Sequence, residues 1–431
     1  MSILKTHLTQ RAHSGGGSSL QIGALFAGMA LLVLGNGLQG TLIGVRAGAE
    51  HMSKETIGLV MLAYFVGYVI GSVCVPTLVQ NVGHIRAFAA LASIASAVSL
   101  AFVLYISPIT WILLRILHGA CYAGLVIVVE SWLNAATDRA ARGRVLAIYG
   151  IVIYGAWAAS QPLLSLSPPT GFALFCVVSI CLSVALVPIT LTKSGVPGVV
   201  EASRPSLKRL YAISPLALVG SFTIGLTVSA FFGMAPLFAQ SVGLDDSGIA
   251  AFVSVTLIGG LAMQWPLGWL SDLVDRRLII IACALTTSLA AAALAWNAEN
   301  SLWILLALTG GLGAFALPIY ALCVAHMNDQ ISENEVITAT SGLILVYGVG
   351  SVFGPFTASL LMGRIGPAGL FVFMAGTTLL YAVYAIYRTH RTPRIPERQK
   401  DSFVAVPQTS HAAAPLHKHG SGKAKGPTAP Q

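Results

Sequence analysis

Arg115 and Glu130 are formally charged side chains inside one long apolar run, 109–134. A charge in such surroundings is costly, so each needs a partner or a water-filled cavity. With the run read as a helix and Arg115 set to zero, His118 falls at about −60°, Tyr122 at about −20° and Glu130 at about +60°. These four residues form one polar stripe. The two charges are about 22 Å apart along the axis, so they cannot pair with each other. Arg115 can line a cavity, where it would bind an acceptor group of a solute or gate a protonation step. It can equally be a structural arginine on backbone carbonyls. His118 has the only ring type that titrates near neutral pH unperturbed, or it is a hydrogen-bonded packing residue. Glu130 lies at the far end of the stripe, where pairing with Arg142 and Arg144 or carrying a proton are both open. Asn36 and Gln39 add neutral polar groups from the first apolar run. Phe231, Gln264, Tyr320 and Tyr347 are weaker cavity candidates from the second half of the chain.

Catalytic chemistry finds little support. There is no H-E-x-x-H, no G-x-S-x-G with triad partners, no phosphate-cradling glycine loop and no acid pair inside an apolar run. No enzyme activity, metal or cofactor is expected. The six cysteines (Cys74, Cys121, Cys176, Cys181, Cys283 and Cys323) all lie in apolar runs without C-x-x-C spacing, and read as small packing residues. His417 and His419 belong to a polar tail and read as solvated.

The elements that must position these residues follow from composition. Of 431 residues, 56% are hydrophobic and 9% charged, with a mean hydropathy of +0.81. Soluble domains carry about 25% charged residues. So few charges exclude a soluble enzyme, a disordered chain and a nucleic-acid-binding domain, and leave a polytopic membrane protein. Apolar runs recur at 20–45, 56–79, 86–106, 109–134, 145–166, 170–192, 215–238, 248–271, 278–296, 302–326, 337–362 and 369–387. They read as helices, because open strands cannot satisfy their backbone in lipid. The first run is long enough to be a retained anchor. The expected fold is all-α, with twelve transmembrane helices in two pseudo-symmetric six-helix bundles. The divisions are a cytoplasmic N-terminal tail at 1–19, bundles at 20–192 and 215–388, a central loop at 193–214 and a disordered cytoplasmic C-terminal tail at 389–431.

The net charge of +9 follows the same plan. With both termini cytoplasmic, 20 of the 24 Lys and Arg fall on the inside, three (Arg46, Lys54 and Arg364) outside, and Arg115 within a span. That bias orients the chain in the plasma (inner) membrane. The halves also repeat. Trp111–Leu114 and Trp303–Leu306 both read WILL, an offset of 192, and at that offset Gly67 falls on Gly259 and Gly119 on Gly311.

The loop Gly268-Trp269-Leu270-Ser271-Asp272-Leu273-Val274-Asp275-Arg276-Arg277 resembles the cytoplasmic signature of the major facilitator superfamily. Gly268 would let two helices approach closely, and Asp272 would pair with Arg276. The matching loop of the first half keeps only the glycine, with Pro76, Gln80, Gly83 and His84 in register. Arg115-Ile116-Leu117-His118-Gly119 resembles the R-x-x-x-G motif of the fourth helix in the same superfamily. The G-x-x-x-G-P motif of drug antiporters, expected in the fifth span, is replaced there by Trp157, Gln161 and Pro162. It is intact at Gly350, Gly354 and Pro355 of the eleventh. The first span carries no acid. Two stretches, Val82–Phe88 and Glu130–Leu146, are similar to the YcaD-like branch.

This resemblance implies a secondary transporter, a monomer in the lipid bilayer. It would move a small organic solute by alternating access, with no nucleic-acid partner and with proton coupling open. A multidrug or metabolite efflux antiporter is the alternative, and a non-transporting receptor or scaffold the remote one. The resemblance implies a solute site at Arg115, His118, Tyr122, Asn36 and Gln39. It implies a cytoplasmic gate at Glu130, Arg142, Arg144, Gly268, Asp272, Asp275, Arg276, Arg277 and Glu333. The charge pattern of the two facing loops adds one expectation. Arg139, Arg142 and Arg144 would pair with Asp329, Glu333 and Glu335 when the inner mouth is shut.

Overall fold

A computed structural model of the chain describes residues 2–137, 141–190, 206–297, 301–332, 335–391 and 403, with side chains from residue 21 onward except those of Arg142 and Ile337. Among these residues the secondary structure is helical, without strands. Twelve helices are long and apolar enough to cross a membrane. We number them α1 (Gln21–Ala49), α2 (Lys54–Val82), α3 (His84–Leu104), α4 (Pro108–Ala136), α5 (Gly143–Leu166), α6 (Ala173–Thr190), α7 (Pro215–Ser241), α8 (Asp246–Leu273), α9 (Arg276–Trp296), α10 (Leu302–Asn328), α11 (Thr338–Ile365) and α12 (Gly369–Arg391). α1 continues a helix that begins at Ser2, and a short helix, Leu207–Ile213, precedes α7.

Several helices start on capping side chains that accept the otherwise orphaned first N–H groups. Ser53 accepts from Thr56 at 3.2 Å before α2, and Asp245 from Gly248 at 2.9 Å before α8. Pro108 and Pro215 sit in the first turns of α4 and α7, where no N–H is needed. α5 tightens to a 3₁₀ helix at Gln161–Leu166, behind Pro162.

The duplication is visible in packing. Gly67 of α2 lies against the Ile116 carbonyl of α4, and Gly259 of α8 lies against the Gly310 carbonyl of α10. The glycines are 192 residues apart and their carbonyl partners 194, so the crossing recurs in both halves, and a side chain at either glycine would overlap backbone.

The helices alternate in direction. Loops α1–α2, α3–α4, α5–α6, α7–α8, α9–α10 and α11–α12 therefore lie at one end, called the odd-loop end. The remaining loops lie at the even-loop end. Among the described residues, three polar bonds between the halves lie in the odd-loop half of the molecule. Lys54 Nζ donates to the Met362 carbonyl at 2.9 Å, Gln240 Nε2 to the Val45 carbonyl at 3.3 Å, and Ser254 Oγ to the Ala158 carbonyl at 3.1 Å. Trp157 of α5 packs on Phe232 of α7 with ring centroids 4.3 Å apart.

Helix ends overshoot the apolar runs, and this moves some charges. Arg46, expected in a loop, is the last-turn arginine of α1 and is buried. It pairs with Glu50 at 2.7 Å and donates to the Pro169 and Thr170 carbonyls of the α5–α6 loop. Arg276 and Arg277 are likewise buried in the first turn of α9.

Candidate functional site

Arg115 sits two turns into α4 with 4% of its surface exposed. Its guanidinium lies over the Tyr64 ring, 4.5 Å from the centroid, and Nη2 points at Met61 Sδ at 3.8 Å. Tyr64 and Met61 are both on α2. Nε has no hydrogen-bond partner, and among the described residues no carboxylate lies within ion-pair distance of this cation. One turn along α4, His118 Nε2 meets Asn36 Oδ1 of α1 at 3.3 Å. Tyr122 stacks on His118 at 6.5 Å with an interplanar angle of 11°. Arg115, His118, Tyr122 and Asn36 are thus brought together.

Gln39 is fully buried, and among the described residues neither end of its amide finds a hydrogen-bond partner. The Asn36–His118 bond fixes the antiparallel register of α1 and α4. One turn further toward the odd-loop end, Gln39 is therefore level with Arg115. Nothing lies within 4 Å of where a side chain on the adjacent Gly40 would start, so there is open space beside this turn.

From the second half, Tyr320 and Tyr347 meet edge to face at 5.2 Å. Gly348, the neighbour of Tyr347 on α11, lies against Val69 of α2, so the halves meet at this depth. Tyr320 Oη and Gln264 Oε1 have no hydrogen-bond partner among the described residues. Phe231 belongs elsewhere. It packs on Phe252 at 6.0 Å, in an aromatic core with Phe238 and Phe371.

Glu130 is 2% exposed near the even-loop end of α4 and accepts a 2.9 Å hydrogen bond from the Tyr149 hydroxyl of α5. Arg144 is exposed in the first turn of α5. Arg139, Glu333 and the side chain of Arg142 lie outside the described residues. The other two acids of the α10–α11 region are paired within the second half. Asp329 meets Arg276 and Glu335 meets Arg209. In this conformation they do not take up the expected pairing with Arg144, because cations of their own half are nearer.

The α8–α9 loop forms a charged hub. Arg276 Nη2 bonds Asp272 Oδ1 at 2.8 Å, and its Nε stands 3.2 Å from Asp329 Oδ2 at the end of α10. Arg277 grips Asp275 at 2.7 Å. The role expected of Gly268 needs correction. Its bare α-carbon faces the ring of Phe403, a residue of the C-terminal segment, rather than a neighbouring helix. The Phe403 N–H points at both oxygens of Asp272, at 3.1 and 3.0 Å.

Three features escaped sequence reasoning. Tyr64 and Tyr68 share a helical face at i, i+4 spacing, a signal lost among apolar neighbours. Phe403 is the one Phe, Tyr or Trp after Tyr387. Gln161, in the place of a motif glycine, accepts from Thr41 at 2.6 Å and donates toward the Gly37 carbonyl at 3.5 Å, so it ties α5 to α1.

A sequence model of the Major Facilitator Superfamily matches the chain at residues 25–263 and again at 217–418. An uncharacterized MFS-type transporter of Enterobacter sp. (strain 638) is 26% identical over 361 residues, covering 83% of this chain and 93% of that protein. The uncharacterized MFS-type transporter YcaD of Escherichia coli O17:K52:H18 is 25% identical over 360 residues, with the same coverage. A crystal structure of a mutant of the nucleoside transporter NupG matches with a TM-score of 0.71 at 12% identity, over 86% of this chain and 100% of that one. A bacterial homologue of the human lysosomal transporter Spinster, inward-facing and unoccupied, matches with a TM-score of 0.63 at 12% identity. That match covers 86% of this chain and 96% of the other.

Proposed function

Since this chain belongs to the Major Facilitator Superfamily, we propose that it is a secondary active transporter that moves a small organic solute across the membrane by alternating access. The solute site is the mid-depth cluster of Asn36, Gln39, Tyr64, Arg115, His118 and Tyr122, faced by Tyr320 and Tyr347. The observation that carries this reading is Arg115, a buried guanidinium held by an aromatic ring and a thioether, with no anion beside it. A cation–π contact returns only about 0.5–2 kcal/mol, a small part of the cost of burying a charge. A carboxylate on the solute would complete the site through paired charge-assisted hydrogen bonds.

The concentration of Lys and Arg at the even-loop end supports a cytoplasmic position for that end. The bonds Lys54–Met362 and Gln240–Val45 then support an outer side held closed. Proton coupling belongs to the same proposal. Glu130 is the buried acid at the inner end of the stripe, where its protonation would weaken its hold on Tyr149.

The test is a thermal-shift screen of the purified protein with small organic acids and their neutral amides, because a ligand of the native state raises its apparent stability. Acids should stabilise the protein, their amides should not, and Arg115→Gln should remove the shift. Hits then enter proteoliposomes. Equal stabilisation of the parent and Arg115→Gln by neutral solutes would overturn the site, and absence of solute flux would overturn transport. Uptake indifferent to an imposed pH gradient would remove the proton.

A further inference from the structure

We propose that the α8–α9 loop is a docking site for an extended peptide segment bearing an aromatic residue, and that its occupant is the chain's own C-terminal segment at Phe403. Three observations converge on it. The Phe403 N–H donates to both oxygens of the Asp272 carboxylate, at 3.1 and 3.0 Å. The Phe403 ring covers Gly268, where even a methyl group would overlap it. The ring is also part-buried against the apolar cluster of the second half.

The site is built to take such a group. Asp272 is held in place by Arg276 at 2.8 Å, and Arg276 is itself in contact with Asp329. The carboxylate that receives the peptide N–H therefore belongs to a fixed network joining the ends of α8 and α10 to the start of α9. Gly268 leaves the slot for the ring. An N–H bond to an ionised acceptor is stronger than a neutral one. α12 ends at Arg391 on the same even-loop end as this loop. The twelve residues to Phe403 can extend to about 40 Å, ample to reach it. Because the segment is tethered, its effective concentration at the site is in the millimolar range, so modest affinity suffices.

Docking adds a contact to one conformation of the second half. An element that binds one state of a two-state equilibrium shifts the population toward it by its differential affinity. The segment is thus a latch on the α8–α9 loop, and releasing it favours the other state.

Hydrogen exchange on the full-length protein in nanodiscs, read by mass spectrometry, tests this. The Phe403 amide should exchange at least about tenfold more slowly than amides elsewhere in residues 392–431. Phe403→Ala and Gly268→Ala should each abolish that protection while the cores of α7–α12 stay folded and protected. Two results overturn the proposal: exchange at Phe403 as fast as in the rest of the tail, or protection that survives Gly268→Ala. Protection that falls on dilution also overturns it, since the occupant is then the tail of a second copy.

Discussion

Arg276 and Asp329 meet across the ends of α9 and α10, with Nε and Oδ2 3.2 Å apart and each side chain only 1% exposed. The contact is an ion pair rather than an aligned hydrogen bond. Removing one member of such a pair strands a buried charge, at a cost of about 3–5 kcal/mol, while replacing both by apolar groups is close to neutral. Arg276→Met should lower the melting temperature in detergent sharply, and Asp329→Ala by less, because Arg276 keeps its bond to Asp272. Arg276→Met with Asp329→Leu should recover most of the loss. Additive losses in the double variant would show that the two do not interact.

Glu130 and Tyr149 give a second measurable pair. The 2.9 Å bond links α4 to α5 where both side chains are buried. A hydrogen bond to a charged group is worth about 1.5–3 kcal/mol. Tyr149→Phe should cost that much in a denaturation curve, and Tyr149→Phe on a Glu130→Gln background should cost about half. An equal loss on both backgrounds would show that the acceptor carries no charge.

Tyr64 holds Arg115 by its ring face. Tyr64→Phe keeps that face and should retain solute-induced stabilisation, whereas Tyr64→Leu should lose it together with about 0.5–2 kcal/mol of stability. Arg115→Lys should fail to replace arginine, because an ammonium offers neither the flat stacking surface nor the paired donors. Thermal shifts with a carboxylate hit separate these cases.

Closure of the odd-loop end rests on close helix approach. Gly58 of α2 faces Ser359 and the Pro355 carbonyl of α11, and a side chain there would overlap the serine. Gly58→Leu should push the two halves apart at this end. Spin labels at Met52 and Ser241 should report a longer mean distance than in the parent protein. A tenfold change in the ratio of the two states corresponds to about 1.4 kcal/mol. An unchanged distance distribution would mean that α2 and α11 do not set the closure.

The sequence by itself determined the membrane class, the twelve spans, the duplication and the distribution of charge. Those properties are local. Every span must satisfy its own backbone and present apolar side chains to lipid, so each is written in about twenty consecutive residues. The polar stripe on α4 was legible for the same reason, since helix geometry fixes which residues share a face. The tertiary structure alone decided the partners. Arg115 rests on Tyr64, Glu130 on Tyr149 and Gln161 on Thr41, while Asp329 and Glu335 take Arg276 and Arg209 of their own half. Phe403, 131 residues from Asp272 in the chain, closes over Gly268. Each of these contacts depends on how two helices rotate and cross, or on where a long segment returns. Rotation and crossing are set by side-chain packing between elements distant in sequence, which no single stretch of residues encodes.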